Sequence, residues 1–194
     1  MKIAVLTGGG VAPGMNAAVR AVAQKAFSFG WEVLGVEDSY DGLLEGRLSP
    51  IDRNRLGGLV HRGGTFLGTG RSKEVREPEG QERAVERLSE AGAEGIVIIG
   101  GGGSLTSATA LGEAGVRAVG IPATIDNDVP GTELAIGVDT AVDTAVRAID
   151  QVRGEDTVRL PLEEVVGEKR PLDPDMYELS KVLAEISDNT NDSR

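Results

Sequence analysis

Two groups of consecutive glycines constrain the fold of this chain more than any other feature of its sequence. Residues 8–10 and residues 100–103 are all glycine, and each group follows a short apolar run and precedes a stretch with helical spacing of apolar residues. Glycine is expected where the backbone turns sharply between a strand and a helix or approaches a ligand closely. The sequence therefore predicts two strand–loop–helix units, one at the start of the chain and one near its middle.

The rest of the chain continues this alternation of strands and helices. The predicted strands are residues 2–7, 32–36, 95–99 and 116–121, and the predicted helices are residues 13–29, 81–91, 104–113 and 140–152. Strands joined by helices are connected by right-handed crossovers, which give a mostly parallel sheet with helices on both faces. The predicted fold class is therefore α/β, with a doubly wound, mostly parallel sheet.

Loops at the carboxyl ends of three predicted strands should form the ligand site. These loops are residues 8–14, 100–103 and 122–130. In doubly wound sheets, ligands bind in the crevice outside such strand ends, so we expect the three loops to converge on one crevice. The residues expected around it are Gly10, Arg71, Gly103 and Asp126.

The first two loops place unsubstituted backbone amides at the amino end of a helix. Such a loop can bind phosphate through hydrogen bonds and the helix dipole without any side-chain charge. In the second loop, Ser104 is expected to serve as the helix cap or as an additional donor. The first loop contains neither a Walker motif nor a complete G-x-G-x-x-G fingerprint. A tight turn without a ligand remains the alternative for the first loop, and a purely structural role is the alternative for the second.

The third loop carries the side chains best suited to acid–base chemistry. Asp126 and Asp128 flank Asn127, and prolines bracket the segment after a buried strand. A carboxylate at this place suits a base that takes a proton from a hydroxyl group. The alternative is an ordinary turn rich in Asp and Asn, which the local sequence favours equally.

Basic residues near the glycine-rich segments could neutralise phosphate charge. Arg71 follows Gly70, and its guanidinium could stabilise a transferring phosphoryl group because it presents several fixed donors to phosphate oxygens. The run of charged residues at 74–83 is interpreted as an exposed loop and the start of a helix.

The composition excludes several classes of partner. The chain has 20 Lys and Arg against 31 Asp and Glu, and a net charge of −11 disfavours binding to nucleic acid or anionic lipid. No apolar stretch approaches 18 residues, so neither a membrane span nor a signal peptide is predicted. With no cysteine, disulfides and thiolate metal sites are excluded. We expect a cytoplasmic protein without nucleic-acid or membrane partners.

Four segments, in this order, resemble the 6-phosphofructokinase family: LTGGGVAPGMNAAVRAV, HRGGTFLGTGRS, GIVIIGGGGS and IPATIDNDVPGTELAIGVDTAVDTAVRAID. The resemblance covers residues 1–153 and implies the nucleotide-binding domain of that family. It implies a glycolytic kinase that transfers the γ-phosphoryl group of ATP to the 1-hydroxyl of fructose 6-phosphate. The alternative is a catalytically impaired nucleotide-binding or regulatory module derived from the family. The resemblance is also compatible with a homo-oligomer.

The resemblance implies a role for each matching residue. Asp126 would activate the sugar hydroxyl, and Arg71 would stabilise the transferred charge. The implied substrate-binding residues are Thr124, Ile125, Asp126 and Asp128. The implied contacts to ATP or ADP are Gly10, Arg71, Ser72, Gly101, Gly102, Gly103 and Ser104. Arg20 and Arg153 match positions that bind an effector nucleotide.

The chain departs from the family pattern in its loops and in its length. Val11 and Gly102 stand where the family carries Asp, and the second of these carboxylates is associated with Mg²⁺. We therefore predict no metal-ligating residue here, and Mg²⁺ would enter as Mg-ATP with weakened protein coordination. Gly103 and Ala123 favour ATP over pyrophosphate as the donor within the family.

The end of the chain resembles a family carboxyl terminus that follows an apparent deletion. That segment is residues 154–187, and residues 188–194 form a polar tail. Local patterns predict a short strand at residues 154–160 and a helix at residues 175–186.

Overall fold

The computed structural model describes residues 1–152, which form one sheet and the helices around it. The strands are β1 (Lys2–Gly8), β2 (Glu32–Val36), β3 (Leu48–Pro50), β4 (Gly95–Gly100) and β5 (Ala118–Pro122). The helices are α1 (Met15–Ser28), α2 (Ser39–Leu44), α3 (Pro78–Glu90), α4 (Gly102–Glu113) and α5 (Val138–Val152), with 3₁₀ turns at Asn54–Leu56, Leu59–His61 and Glu74–Arg76.

The sheet has the order β3-β2-β1-β4-β5, and all its pairings are parallel except that of β3 with β2. The register pairs Ile3 with Gly95 and Gly8 with Gly100, so β1 and β4 end side by side. Gly100 in turn pairs with Pro122 at the end of β5. The predicted mostly parallel α/β sheet is confirmed, and the carboxyl ends of β1, β4 and β5 lie side by side along one edge.

Two hydrophobic cores lie on opposite faces of the sheet because side chains alternate along each strand. Ile3 and Val5 pack with α1 in one core. Ala4 and Leu6 pack with α2, α3 and α4 in the other. The sheet is therefore covered by helices on both faces, as a doubly wound fold requires.

The structure differs from the sequence-based prediction at the glycines of the second loop and around residue 40. Helix α4 begins at Gly102, so the glycine segment of residues 100–103 is not all loop. Helix α2 and strand β3 were not predicted. Both are short, and Gly42 and Gly46 interrupt the periodic pattern that would have indicated them.

The chain divides into two compact units, Met1–Ala141 and Val142–Arg194. The first unit contains the sheet. Of the second unit, the structure describes the α5 residues up to Val152. The predictions for residues 154–160, 175–186 and the polar tail lie outside the described residues. In the part that is described, no helix has the length and apolar character needed to cross a membrane.

Candidate phosphate-binding site

The carboxyl ends of β1, β4 and β5 open onto a cleft with a volume of about 340 Å³. The cleft is lined by every predicted nucleotide- or substrate-binding residue: Gly10, Arg71, Ser72, Gly101, Gly102, Gly103, Ser104, Thr124, Ile125, Asp126 and Asp128. The expectation that Gly10, Arg71, Gly103 and Asp126 share one crevice is therefore confirmed. The roles that the resemblance implies for these residues stay predictions.

The first glycine loop is tied to the segment that carries Arg71. The Gly9 amide donates a hydrogen bond to the Gly70 carbonyl oxygen at 2.9 Å, and the Thr69 hydroxyl donates to the Gly9 carbonyl oxygen at 3.0 Å. Gly9 has a φ of 84°, a conformation that glycine adopts without steric cost. Two chain segments distant in sequence therefore form one wall of the cleft.

Asn16 fixes the chain that leads to Arg71. It is buried in the first turn of α1, and its Nδ2 donates to the carbonyl oxygens of Arg62 at 2.9 Å and Gly63 at 3.1 Å. Its Oδ1 accepts a hydrogen bond from the Phe66 amide at 2.8 Å. Sequence reasoning missed this residue, although a polar side chain beside the apolar stripe of a helix indicates a buried hydrogen-bonded role.

The turn between β2 and α2 supports the same segment. Asp38 and Ser39 have φ values of 54° and 64°, which is unusual for residues other than glycine. The Asp38 amide donates to the Leu67 carbonyl oxygen at 2.8 Å, and the Ser39 hydroxyl donates to the Gly70 carbonyl oxygen at 3.2 Å. The left-handed backbone is thus held where it contacts the arginine-bearing segment, as strained backbone near functional sites often is.

The second glycine loop runs directly into helix α4. Gly101 is the residue before the helix, and no side chain caps the helix end. Ser104 is therefore not the cap that the sequence suggested; it is buried in the first helical turn. Helix amides in a first turn have no partner within the helix, so those of Gly102 and Gly103 are donors at the cleft wall.

The side chain of Tyr40 supports this first turn through a hydrogen bond, and this residue was not identified from the sequence. Its hydroxyl is buried and donates to the Ser104 carbonyl oxygen at 2.7 Å. Burial raises the pKa of Tyr40 well above its ordinary value of 10.0, while a hydrogen bond with Ser107 partly opposes this shift. The phenol is therefore neutral at physiological pH and acts as a fixed donor.

In the third loop, Asn127 has a structural role, whereas the side chains of the two aspartates beside it do not hold the turn together. Asn127 has a φ of 51°; its Oδ1 accepts from the Ala135 amide at 3.0 Å and its Nδ2 donates to the Glu133 carbonyl oxygen at 3.1 Å. Asp126 and Asp128 are exposed and line the cleft. Asn127 therefore builds the turn, the flanking carboxylates are accessible from the cleft, and the role of Asp126 as a base stays a prediction.

Two arginines line the cleft, and one of them was not predicted. Arg71 and Arg76 are both exposed. A Cβ atom at Gly103 would stand 3.4 Å from Arg76 Nη2, which places this guanidinium beside the start of α4. The charged segment at residues 74–83 is interpreted from the sequence as an exposed loop and helix start, but its first turn also contributes to the cleft. The 3₁₀ turn Glu74–Arg76 brings Arg76 there.

Ser72 adds a hydroxyl that lacks a partner. It is 7% exposed, and its Oγ makes no hydrogen bond with any described residue. Most buried polar side chains are hydrogen-bonded, so this hydroxyl beside the cleft has unused capacity. By contrast, Arg20 lies on α1 and does not line the cleft, and Arg153 lies outside the described residues.

The cleft offers few side-chain ligands to a magnesium ion. Residues 1–152 contain no group of three or more His, Asp and Glu side chains arranged for metal binding. The cleft has carboxylates only at Asp126 and Asp128, and Gly102 contributes no side-chain ligand. Mg²⁺ is usually held in proteins by one or two carboxylates together with substrate phosphates and waters, so any carboxylate ligand for it in this cleft would come from the third loop and not from the glycine loops.

Comparisons with known proteins agree with this fold. A family model described as Phosphofructokinase matches residues 2–169. An ATP-dependent 6-phosphofructokinase of Streptococcus sanguinis is 53% identical over 152 residues, covering 78% of this chain and 45% of that protein. The protein of the same name from Streptococcus pneumoniae strain Hungary19A-6 is 51% identical with the same coverage. This chain therefore spans less than half the length of these curated relatives.

Solved structures give the same result. A structure of Pichia pastoris phosphofructokinase in the T-state superposes with a TM-score of 0.78 at 33% identity, over 81% of this chain and 19% of that one. The phosphofructokinase of Saccharomyces cerevisiae gives a TM-score of 0.73 at 36% identity, over 78% of this chain and 24% of that one.

Proposed function

This chain belongs to the phosphofructokinase family, and from that premise we propose that its cleft binds the phosphates of ATP and transfers the γ-phosphoryl group to the 1-hydroxyl of fructose 6-phosphate. Asp126, Arg71 and both glycine loops converge on a single cleft although they are far apart in sequence. This combination offers a base, a cation and phosphate-binding amides together.

The nucleotide phosphates lie against the first turn of α4 and the loop after β1. Amides of Gly102 and Gly103 donate to phosphate oxygens, and the amino end of the helix favours their negative charge. The guanidinium of Arg71 stabilises the charge that develops on the transferring group. Phosphoryl transfer depends mainly on such positioning and charge stabilisation.

The acceptor hydroxyl lies against the third loop. Asp126 accepts its proton as the sugar oxygen bonds to the γ-phosphorus, and the bond from that phosphorus to the β–γ bridging oxygen breaks to release ADP. The Asp126 amide donates to Thr124 Oγ1 at 3.2 Å, which fixes the backbone that carries the base. Asp128 lies on the same loop and contributes to the acceptor side of the cleft.

A coupled assay of fructose 1,6-bisphosphate formation with the full chain tests this function. We expect Asp126→Asn to lower kcat by about 10²–10⁴-fold without weakening ATP binding, measured by calorimetry. Asp41→Asn, on an exposed part of α2 outside the cleft, is the matched control and should retain activity. Equal turnover in the wild-type chain and Asp126→Asn would overturn the assignment of the base.

A second function, nucleotide binding without turnover, is favoured by a specific observation. The loop after β4 contains no carboxylate, because residues 100–103 are all glycine. A site without a metal ligand in this loop can bind phosphates but lacks part of the charge stabilisation that phosphoryl transfer requires. ATP binding in calorimetry, together with no product in the coupled assay, would assign this second function.

A further inference from the structure

The charged side chains of the cleft are separated by sign. Arg71, Arg76, Asp126 and Asp128 all line it. No nitrogen of these arginines lies within 4.0 Å of an acidic oxygen of any described residue, although other arginines of the chain do form such pairs. The two cations therefore form no ion pair with the two carboxylates of the same cleft.

The positive charge lies beside the glycine loops. Arg71 follows Gly70, whose carbonyl oxygen accepts the Gly9 amide, so Arg71 adjoins the loop after β1. Arg76 Nη2 stands 3.4 Å from the position of a Cβ at Gly103, so Arg76 adjoins the start of α4. The carboxylates belong to the loop after β5, which is the next strand outward in the sheet.

The glycine-loop side of the cleft contains no carboxylate to hold a metal ion. Residues 8–14, 70–73 and 100–104 include neither Asp nor Glu. At Gly102, no atom stands within 4 Å of where a Cβ would lie, so the fold leaves this space open. The groups that can neutralise phosphates there are two guanidinium groups, the first-turn amides of α4 and the unpartnered hydroxyl of Ser72.

Fixed cations and a bound Mg²⁺ compete for the same phosphate charge. Mg²⁺ on a nucleotide cancels two of its negative charges and occupies oxygens that guanidinium groups would otherwise contact. A protein recovers this loss when it presents carboxylates to the metal, because the ion then bridges like charges. On the glycine-loop side, which has no such carboxylate, the metal weakens the attraction between the nucleotide and the arginines.

We propose that this cleft selects the metal-free form of its nucleotide, so that metal-free ATP and ADP bind more tightly than their magnesium complexes. The inference rests on the proposed function only in assigning the cleft to nucleotide phosphates. It does not depend on phosphoryl transfer.

The preference for the metal-free nucleotide can be tested by calorimetry of the full chain with ATP and with ADP. Each titration is done in EDTA and in saturating Mg²⁺ at the same ionic strength. We expect a Kd about tenfold lower in EDTA. Equal or tighter binding in Mg²⁺ overturns the inference and leaves the proposed function intact. Absence of binding in both buffers overturns the inference and the nucleotide assignment together. Metal-free binding without turnover removes only the phosphoryl-transfer proposal.

Gly102→Asp reverses the expected preference, because it adds a carboxylate in open space beside the phosphates. We expect it to weaken metal-free ATP binding and to tighten Mg-ATP binding. Gly102→Asn is the matched control, since it has the same shape without the charge and should keep the wild-type preference. The same change in both variants would contradict the electrostatic argument.

Arg76→Gln tests the cation independently of the glycine loop. We expect a loss of affinity of about tenfold for metal-free ATP and a smaller loss for Mg-ATP. Arg117→Gln, on an exposed residue outside the cleft, is the control and should change neither affinity. Unchanged metal-free affinity in Arg76→Gln would overturn the role given to this residue.

Discussion

The loop after β1 and the loop after β4 both join a strand to a helix through consecutive glycines, yet the structure uses these glycines differently. In the first loop, Gly9 and Gly14 adopt left-handed conformations, and segment 69–70 forms hydrogen bonds with Gly9. In the second loop, Gly102 and Gly103 already belong to helix α4. The first loop is a constrained turn, and the second is an uncapped helix end.

The two loops contain glycines that the packing requires and other glycines that could be replaced without a steric clash. Gly8 and Gly100 lie side by side in the sheet, where a Cβ on either would meet an atom at 2.6 Å. Gly10 and Gly102 have no atom within 4 Å of a Cβ position. The absence of a side chain at Gly10 and Gly102 therefore shapes the cleft, because the fold itself would accept one.

The largest effect is expected for Gly100→Ala, which tests whether packing requires glycine at this position. Its Cβ would stand 2.6 Å from the Gly8 carbonyl oxygen, and backbone cannot move aside as a side chain can. We expect the free energy of unfolding to fall by about 3 kcal/mol in urea denaturation. Gly102→Ala is the matched control and should unfold like the wild-type chain. Equal losses in the two variants would contradict the distinction.

Asn16→Ala tests how much the first loop depends on its neighbouring segment. It removes the hydrogen bonds that the buried Asn16 side chain makes with the backbone of Arg62, Gly63 and Phe66. We expect a loss of about 2 kcal/mol in the free energy of unfolding. Asn54→Ala, at an exposed position, should cost much less in the same urea titration. A similar loss in the free energy of unfolding for both variants would contradict a stabilising role of the Asn16 hydrogen bonds.

Tyr40→Phe probes the corresponding support of the second loop. It removes the hydrogen bond to the Ser104 carbonyl oxygen, and we expect a loss of about 1 kcal/mol in the free energy of unfolding. Guanidinium chloride titration at neutral pH measures it. A loss as large as that of Asn16→Ala would show that the two loops depend equally on their supports.

The same variant has a predicted pH dependence. Because the folded state raises the pKa of Tyr40, the unfolded chain loses this proton first, at its ordinary value of 10.0. The stability contributed by neutral Tyr40 is complete below pH 10 and decreases above it by about 1.4 kcal/mol per pH unit. The stability difference between wild type and Tyr40→Phe should therefore shrink above pH 10. A constant difference up to pH 11 would contradict this prediction.

The smallest effect is expected for Gly10→Ala, because neither a neighbour nor a left-handed φ requires glycine there. We expect a change within about 0.5 kcal/mol. Gly9→Ala should cost about 1 kcal/mol or more, since its φ of 84° strains any residue with a Cβ. Thermal denaturation of both variants under one buffer compares them. A larger cost at Gly10 than at Gly9 would invert the interpretation of this loop.

The sequence predicted the convergence of the cleft because it depends on a general property of parallel sheets. Apolar runs marked β1, β4 and β5, and strands that run in one direction end along the same edge. Glycines and aspartates that immediately follow these runs are therefore brought together whatever the intervening chain does. The positions of Gly10, Gly103 and Asp126 followed from this rule.

The supports of the cleft could not be predicted because they depend on tertiary contacts. The left-handed pair Asp38 and Ser39 has no glycine to indicate it, and contacts with residues distant in sequence, among them Leu67 and Gly70, help to hold it. Arg76 lies in a charged stretch whose composition is typical of a solvated surface, and a single 3₁₀ turn directs it to the cleft. Local patterns do not contain this information.

The pairing of β1 with β4 also determines when the cleft can form during synthesis. Ile3 pairs with Gly95, which the ribosome adds 92 residues later. At about 5–20 residues per second, the loop after β1 waits about 5–20 s for the strand that will lie beside it. During this interval β1 has one edge open. A nascent chain that ends before Gly100 has one wall of the cleft and no helix end to face it, so the cleft itself can form only after this delay.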